Sequence, residues 1–259
     1  PGTARKNKPV NKIIQENGSF VLVGKTDGKE RPLNLPKPDV CTYPGHKRLT
    51  CESCHSTWVP QCYGCHVKKD DRETHLDKLT LEETPGWWEE GRSYIRYEKP
   101  MLGVWKDRIV IVTPGCQDVV TLINKEGEIS GGFNRFTMAA INPHTTQLKG
   151  RICKDCHAKP KTVGLGEGTV NKEGGKWECY PGDQGIDTIE GRTVGLDTFV
   201  TIEGKPLQHG SRKDLRPFNK EELERILRVG LCLTCHPNYS DPAYTNYDSK
   251  RPCPVYKEP

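Results

Sequence analysis

The feature that most constrains this chain of 259 residues is a pattern of cysteine and histidine that occurs four times. Eight of the twelve cysteines form pairs in which the second cysteine stands three residues after the first, and a histidine follows each pair directly. We number the copies motifs 1 to 4 in chain order: Cys51-Glu-Ser-Cys54-His55, Cys62-Tyr-Gly-Cys65-His66, Cys153-Lys-Asp-Cys156-His157 and Cys232-Leu-Thr-Cys235-His236. So specific a pattern does not occur four times by chance.

Each motif has the spacing by which c-type haem is attached to protein. Two thiols at positions i and i+3 can form thioethers with the two haem vinyl groups, and the histidine that follows can place its imidazole on the iron. The sequence therefore predicts four haem c groups. Their attachment residues are Cys51, Cys54, Cys62, Cys65, Cys153, Cys156, Cys232 and Cys235. Their proximal iron ligands are His55, His66, His157 and His236.

Two other uses of paired cysteines explain the pattern less fully. Zinc is bound by Cys-x-x-Cys pairs together with histidine, but a zinc site does not need a histidine directly after every second cysteine. A thioredoxin-like redox pair needs a single Cys-x-x-Cys in a strand–helix–strand setting, which surrounds none of the four motifs.

The histidines outside the motifs match the motifs in number. The chain has eight histidines, so four remain after the proximal ligands are assigned. These are His46, His75, His144 and His209, and we predict them as distal ligands that complete bis-histidine coordination. Of these, His46 and His75 are expected to serve the haems of motifs 1 and 2. Met101 and Met138 are the alternative sixth ligands, although methionine is more often a core residue.

Bis-histidine coordination favours low reduction potentials, because it lacks the thioether ligand that raises them. It also occupies both axial positions of the iron. The predicted role is therefore electron transfer without a catalytic site, because an enzyme would need one iron with an open position.

Composition predicts an unusual fold for a chain of this length. Hydrophobic residues make up only 33% of the chain, and 26 glycines and 20 prolines predict many turns and few long regular elements. We therefore expect a mostly irregular, haem-organised multihaem cytochrome with short helices and a small β meander, in which the cofactors form much of the core. One clear helix is predicted after the Asn219 N-cap, with Glu222 as its capping-box partner and Gly230 at its end.

Motif spacing suggests four regions within one continuous haem-linked unit. Residues 1–40 are an N-terminal extension, and residues 41–80 hold the pair of motifs 1 and 2. Residues 81–150 are a β-containing insert with one distal histidine, and residues 151–259 hold motifs 3 and 4. The predicted strands of the insert are Ser93–Tyr97, Arg108–Thr113 and Val119–Ile123.

Four cysteines lie outside the motifs and are candidates for disulfides: Cys41, Cys116, Cys179 and Cys253. Haem c is attached outside the cytoplasm, where disulfides persist, so up to two bonds in three possible pairings are expected. Free buried thiols are the alternative. No apolar run is long enough to cross a membrane, and a chain beginning at Pro1 is expected to have lost any secretion signal.

Charge does not point to a nucleic-acid partner. The formal net charge is +5, but basic and acidic residues are both spread along the whole chain and form no single basic block, as on a solvated surface. The propionates of four haems would bring the loaded protein close to neutrality.

The motifs resemble those of the multihaem c-type cytochromes of metal-reducing bacteria and of archaea. Among these, the four-haem size and the close pair of motifs 1 and 2 are similar to subunits of extracellular cytochrome nanowire filaments. This resemblance implies that haems stack in one chain through and between subunits, and that a neighbouring copy donates one distal histidine. It also implies an upstream redox donor, an extracellular electron acceptor, and an N-terminal tract that reaches across the subunit interface.

Two other functions remain open at this stage. The same ligation fits a soluble tetrahaem carrier of the periplasm or the extracellular medium. A multihaem reductase with one open haem is the second alternative, and a sensor or haem-storage role is a further one.

Overall fold

The computed structural model describes residues 11–33, 43–182, 185–187, 193–238 and 240–245. The chain divides into two compact units, Pro1–Arg48 and Leu49–Pro259. The first unit has an antiparallel sheet of three strands, β1 (Lys12–Glu16), β2 (Ser19–Val23) and β3 (Glu30–Leu33), and a 3₁₀ helix at Pro44–His46. Asn17 and Gly18 have φ angles of 49° and 78°, as the two-residue turn between twisted antiparallel strands requires.

The second unit is built mainly of strands. They are β4 (Val59–Leu76), β5 (Glu83–Glu98), β6 (Met101–Trp105), β7 (Arg108–Ile123), β8 (Ile129–Ala140), β9 (Gly168–Glu173), β10 (Lys176–Pro181), β11 (Ile186–Asp187), β12 (Thr193–Val194), β13 (His209–Gly210) and β14 (Leu215–Arg216). The helices are α1 (Cys51–His55), α2 (Cys153–His157), α3 (Lys220–Cys232) and α4 (Pro242–Thr245), with a 3₁₀ helix at Pro160–Val163.

Seven strands form the main sheet, in the order β13-β8-β7-β4-β5, with β6 paired to β7 and β14 paired to β6. Strand β4 runs antiparallel to β5 along most of its length and parallel to β7 between Cys65 and Asp70. Strand β7 also pairs antiparallel with β6 and β8. Two separate hairpins, β9 with β10 and β11 with β12, complete the strand content.

Helix α3 confirms the predicted helix start. The Asn219 side chain accepts a hydrogen bond from Glu222 N at 2.9 Å, and the Glu222 carboxylate accepts one from Asn219 N at 2.9 Å. This reciprocal capping box satisfies two backbone N–H groups of the first turn. The helix ends at Cys232, two residues beyond the predicted stop at Gly230. In the described part of the chain no helix is both long and apolar enough to pass through a membrane.

The core consists of aliphatic and aromatic side chains on both faces of the sheet at β6 and β7. One cluster contains Leu102 and Ile111 together with Leu223 of α3. The other contains Met101 and Val112, which alternate with the first set along the same strands and so point to the opposite face. Consecutive residues of β6 and of the first half of β7 are therefore buried, as in a sheet that is covered on both faces.

The predicted fold class was wrong. Strands account for 48% of the structure and helices for 15%, so the protein is mostly β and is not an irregular chain organised by cofactors. The predicted segments Ser93–Tyr97, Arg108–Thr113 and Val119–Ile123 do lie in strands, but β5 and β7 each extend to 16 residues. Much of the glycine lies in the turns between strands, for example at Gly127 and Gly174, and leaves the long strands intact.

Candidate haem-binding site

Motifs 1 and 3 each form one helical turn, α1 and α2, directly after an extended residue. Residues at i and i+3 lie on the same side of a helix, so each turn presents its two thiols together with the next histidine close by. Ser53 lies inside motif 1 and anchors α1 to the sheet by donating a hydrogen bond to Ile109 O at 2.9 Å. The local conformation of both motifs therefore fits attachment of a group through two thiols.

Motif 4 continues from the end of α3 as a further helical turn. Cys235 N and His236 N both donate to Cys232 O, at 3.1 and 2.9 Å. The two thiols consequently lie on one side, as in motifs 1 and 3. Motif 4 therefore also fits the attachment geometry.

Motif 2 has a different conformation, because it lies inside the long strand β4. Cys62 pairs with Ile95 of β5, and Cys65 pairs with Arg92 of β5 and Asp118 of β7. Gly64, between the two cysteines, has a φ of 54°, which is outside the extended range. Motif 2 therefore lacks the helical turn that brings the two thiols of the other motifs to one side, and as folded it does not share their attachment geometry.

The ring nitrogens of three motif histidines are held by acceptors elsewhere in the chain. Nδ1 of His55 lies 3.1 Å from Gln147 O, and Nδ1 of His157 lies 2.9 Å from Ile226 O. Nδ1 of His236 lies 2.9 Å from Asp241 Oδ2. A carbonyl or carboxylate oxygen can only accept, so Nδ1 carries the proton and the lone pair is on Nε2. This is the arrangement in which histidine ligates a metal.

The three histidines with this arrangement belong to the three helical motifs. For His66 of motif 2, no comparable ring contact is found in the described part of the chain. His66 is exposed and lines an open depression of about 290 Å³ together with Lys68, Glu89 and Val119. Conformation and ring contacts therefore both distinguish motif 2 from the others.

Motifs 1 and 3 are joined through the segment that precedes α2. Gln147 N donates to His55 O at 3.0 Å, and Arg151 N donates to Cys54 O at 2.9 Å. A Cβ at Gly150 would lie only 2.9 Å from Cys54 Sγ, so glycine allows the chain to approach this thiol closely. Motif 1 therefore packs directly against the chain that leads into motif 3.

Electrostatics gives a second sign of this proximity. Burial raises the pKa of the Cys156 thiol to about 11, the positive charge of Arg151 acts in the opposite direction, and Cys54 adds to the increase. Since such effects fall with distance, the second cysteines of motifs 1 and 3 are near neighbours.

Motif 3 in turn packs against α3, which leads to motif 4. The Nδ1 bond from His157 to Ile226 O crosses this contact, and a side chain at Gly230 would overlap His157 O. Burial lowers the pKa of His157, which favours the neutral imidazole, the form that binds metal. Motifs 1, 3 and 4 thus form a contiguous series with motif 3 in the middle.

The charge of a buried carboxylate, Asp155, at the start of α2 is balanced by nearby lysines. Burial raises the pKa of Asp155, but the hydrogen bonds from Lys99 and from Ile152 N outweigh this effect and the pKa is lowered overall. The Lys99 ammonium lies 2.8 Å from Asp155 Oδ2, and that of Lys159 lies 3.9 Å from Oδ1. Asp155 is therefore ionised and paired with lysine.

The predicted distal histidines occupy separate places. His144 is exposed and adjoins Thr145, which exchanges hydrogen bonds with Thr57 and Trp58 just after motif 1. His75 lies on β4, nine residues beyond His66, with its Nδ1 at Gly86 O. The structure therefore brings the His144 segment beside motif 1, a neighbour not expected from the sequence.

The other two distal candidates lie elsewhere. His209 is exposed at the start of β13. His46 ends the 3₁₀ helix of the first unit, with its ring centre 5.6 Å from that of Tyr43. Met101 and Met138, the alternative ligands, are fully buried in one apolar cluster.

The remaining cysteines are only partly described. Cys116 is exposed on β7 and Cys179 is half-buried on β10, and no disulfide joins them. Cys41 and Cys253 lie outside the described residues, so the other predicted pairings stay predictions.

Several functional residues were not predicted from the sequence. The acceptors Gln147 and Ile226 lie 92 and 69 residues from the histidines they hold, so only the folded chain brings them together. Asp241 follows His236 by five residues and is the one acceptor that a local pattern search would have found.

Comparison with protein-family models, with curated proteins and with solved structures finds no match to this chain. Within the described ranges, no group of three or more histidine, cysteine, aspartate and glutamate side chains is arranged to hold a metal ion. A bis-histidine haem iron takes only two ligands from the protein and needs no such group.

Proposed function

We propose that this protein transfers electrons through four covalently attached haem c groups. The observation that carries the proposal is the fourfold Cys-x-x-Cys-His pattern, supported by the helical turn and the Nε2 lone pair of motifs 1, 3 and 4. When bound, haem supplies an iron that alternates between the ferric and ferrous states. The chain's own part is to hold each proximal imidazole in one tautomer and one orientation.

The distal ligands are proposed to be His46, His75, His144 and His209. With both axial positions occupied by imidazole, the sites bind no substrate, and we propose a role without catalysis. The position of His144 beside Thr57 and Trp58 supports its assignment to the site at motif 1, in addition to the candidates His46 and His75.

The contacts among the motifs support an order for the attachment sites. Motif 3 touches the chain around motif 1 through Gly150 and Arg151, and it touches α3 through Ile226. Motif 2 is separated from motif 1 by six residues. We therefore order the sites 2, 1, 3, 4, which differs from their order in the sequence.

The first test counts the attached groups. The chain is secreted from a host with c-type haem maturation, and intact-mass spectrometry is expected to show four haem adducts. Alanine at both cysteines of any one motif removes one adduct, whereas the control Cys116→Ala with Cys179→Ala keeps all four. A wild-type protein without adducts, or adducts that survive loss of every motif cysteine pair, contradicts the proposal.

Motif 2 is the most informative variant in this series, because its two cysteines lie on β4 and not on a helical turn. If Cys62→Ala with Cys65→Ala lowers the count from four to three, residues 62–66 leave the strand when haem is attached. If the wild type has three adducts and this variant also has three, the protein is a trihaem cytochrome.

We further propose that copies of the protein polymerise outside the cell into a filament that carries electrons from a redox donor to extracellular acceptors. The support is the resemblance of the motifs to those of nanowire subunits. Electron microscopy of the native holoprotein tests this directly. Regular filaments with a continuous row of haem-sized density are expected, whereas discrete particles would favour a soluble tetrahaem carrier.

A further inference from the structure

Arg151 lies where motifs 1 and 3 meet. Its backbone N–H donates to Cys54 O at 2.9 Å, and Cys153, the first residue of α2, follows two residues later. One side-chain nitrogen, Nη2, donates to Pro100 O. The other two, Nε and Nη1, are buried without an oxygen or nitrogen acceptor, and the side chain lies beside the Cys156 thiol.

The charge of Arg151 has no partner in the described part of the chain, where no carboxylate forms an ion pair with it. The acidic residue nearest in sequence, Asp155, is already paired with Lys99 at 2.8 Å and with Lys159 at 3.9 Å. A guanidinium group remains protonated in proteins, so Arg151 cannot relieve its burial by losing its charge.

On this half-buried side chain, two buried N–H groups that lack an oxygen acceptor are unfavourable unless an anion accepts from them. The surroundings limit what this anion can be. Arg151 is half-buried and lies against the second cysteine of motif 1, the connection between β5 and β6 at Pro100, and the first turn of α2. A group attached to the thiols of these motifs would reach it, whereas a large solvent-borne anion such as nucleic acid would not.

We propose that Arg151 binds the propionate carboxylate of a haem held at the junction of motifs 1 and 3. This inference rests on the proposed function, because the anion arrives with the haem. Arg151 is then a positioning residue: its planar N–H groups donate to the carboxylate oxygens in a preferred orientation, and its charge stabilises the reduced iron. The unused donors Nε and Nη1 are thereby satisfied only in the loaded protein.

The test compares Arg151→Gln, Arg151→Lys and the control Arg228→Gln in the secreted holoprotein. Arg228 lies on the neighbouring helix α3 and is exposed, so its charge is screened by solvent. Mass spectrometry first counts the haems, and spectroelectrochemical titration then gives the midpoint potentials. For Arg151→Gln we expect one potential to fall by the equivalent of a tenfold change in the oxidised-to-reduced ratio, about 59 mV for one electron. Arg151→Lys should lower the same potential by less than half as much, and Arg228→Gln should have the potentials of the wild type.

A fully loaded Arg151→Gln protein with all potentials unchanged would overturn the inference and leave the proposed function intact. A wild type without haem would overturn both, so the two failures are distinguishable. If Arg151→Gln does not accumulate, infrared difference spectra with ¹³C-labelled propionates are recorded on Arg151→Lys and the wild type. A shift in one propionate band supports the inference, and identical bands refute it.

Discussion

Replacing Gly230 by alanine tests the packing of α3 against motif 3. In a helix interior, alanine is normally more stable than glycine by about 0.5–1 kcal/mol. At this position an added Cβ would overlap the carbonyl oxygen of His157, a backbone atom that cannot rotate away. Overpacking of this kind costs about 1–3 kcal/mol. Because the overlap is with a backbone atom, the cost lies in the upper part of this range, about 2–3 kcal/mol. Less the gain from alanine, the predicted net loss is about 1–2.5 kcal/mol, a factor of roughly 5–70 in the folding equilibrium.

The assay is denaturant unfolding of the loaded protein, followed by tryptophan fluorescence. We expect a lower midpoint with an unchanged slope, because the surface exposed on unfolding stays the same. Gly131→Ala is the control, since its Cβ would meet only Leu122 Cδ1 at an ordinary 3.8 Å. If Gly230→Ala is as stable as the wild type or more stable, α3 does not pack on motif 3 in the manner described.

Three further results are expected. Replacing any one predicted distal histidine by alanine should make one haem high-spin in its optical spectrum without releasing it, and four variants that all stay low-spin would remove the distal assignment. Lys161→Met should destabilise the protein by about 3 kcal/mol in thermal unfolding, because it leaves the buried Asp197 without the ammonium 3.6 Å away, whereas the exposed Lys159→Met should have little effect. Arg72 holds the pKa of Asp70 at about 2, so the wild type should be more stable than Asp70→Asn at neutral pH, and this difference should disappear as the pH falls from about 4 towards 2. A difference in stability that instead grows on acidification would show that the pKa of Asp70 is not lowered in the folded protein.

Local chemistry in the sequence predicted the local elements. The capping box at Asn219 and Glu222 forms as expected, since both partners lie within one turn and need no tertiary contact. The apolar run Ile109–Val112 lies in a strand, as its β-branched residues predict, because such residues favour extended backbone.

The global fold could not be inferred in the same way. Low hydrophobic content suggested a core made of cofactors, but the apolar residues are concentrated in β6 and the first half of β7, where adjacent residues such as Ile111 and Val112 supply the cores on the two faces of the sheet. The length of β4 and β5 depends on pairing between distant residues such as Lys69 and Trp88, which no short pattern reveals. The contact of motif 1 with motif 3 is likewise a tertiary result, made by Gly150 nearly a hundred residues beyond Cys54.

The length of helix α3 fixes the separation between the sites of motifs 3 and 4. Ile226 holds the histidine of motif 3 and Cys232 begins motif 4, so six residues of helix, about 9 Å of rise, separate the two. Inserting one residue would lengthen this separation by about 1.5 Å and turn motif 4 by about 100° around the helix axis. Inserting seven residues, close to two full turns, would nearly restore the orientation of motif 4 around the helix axis. We therefore expect that length changes in this helix are accepted only in whole turns, whereas the surface loops of the sheet can change one residue at a time.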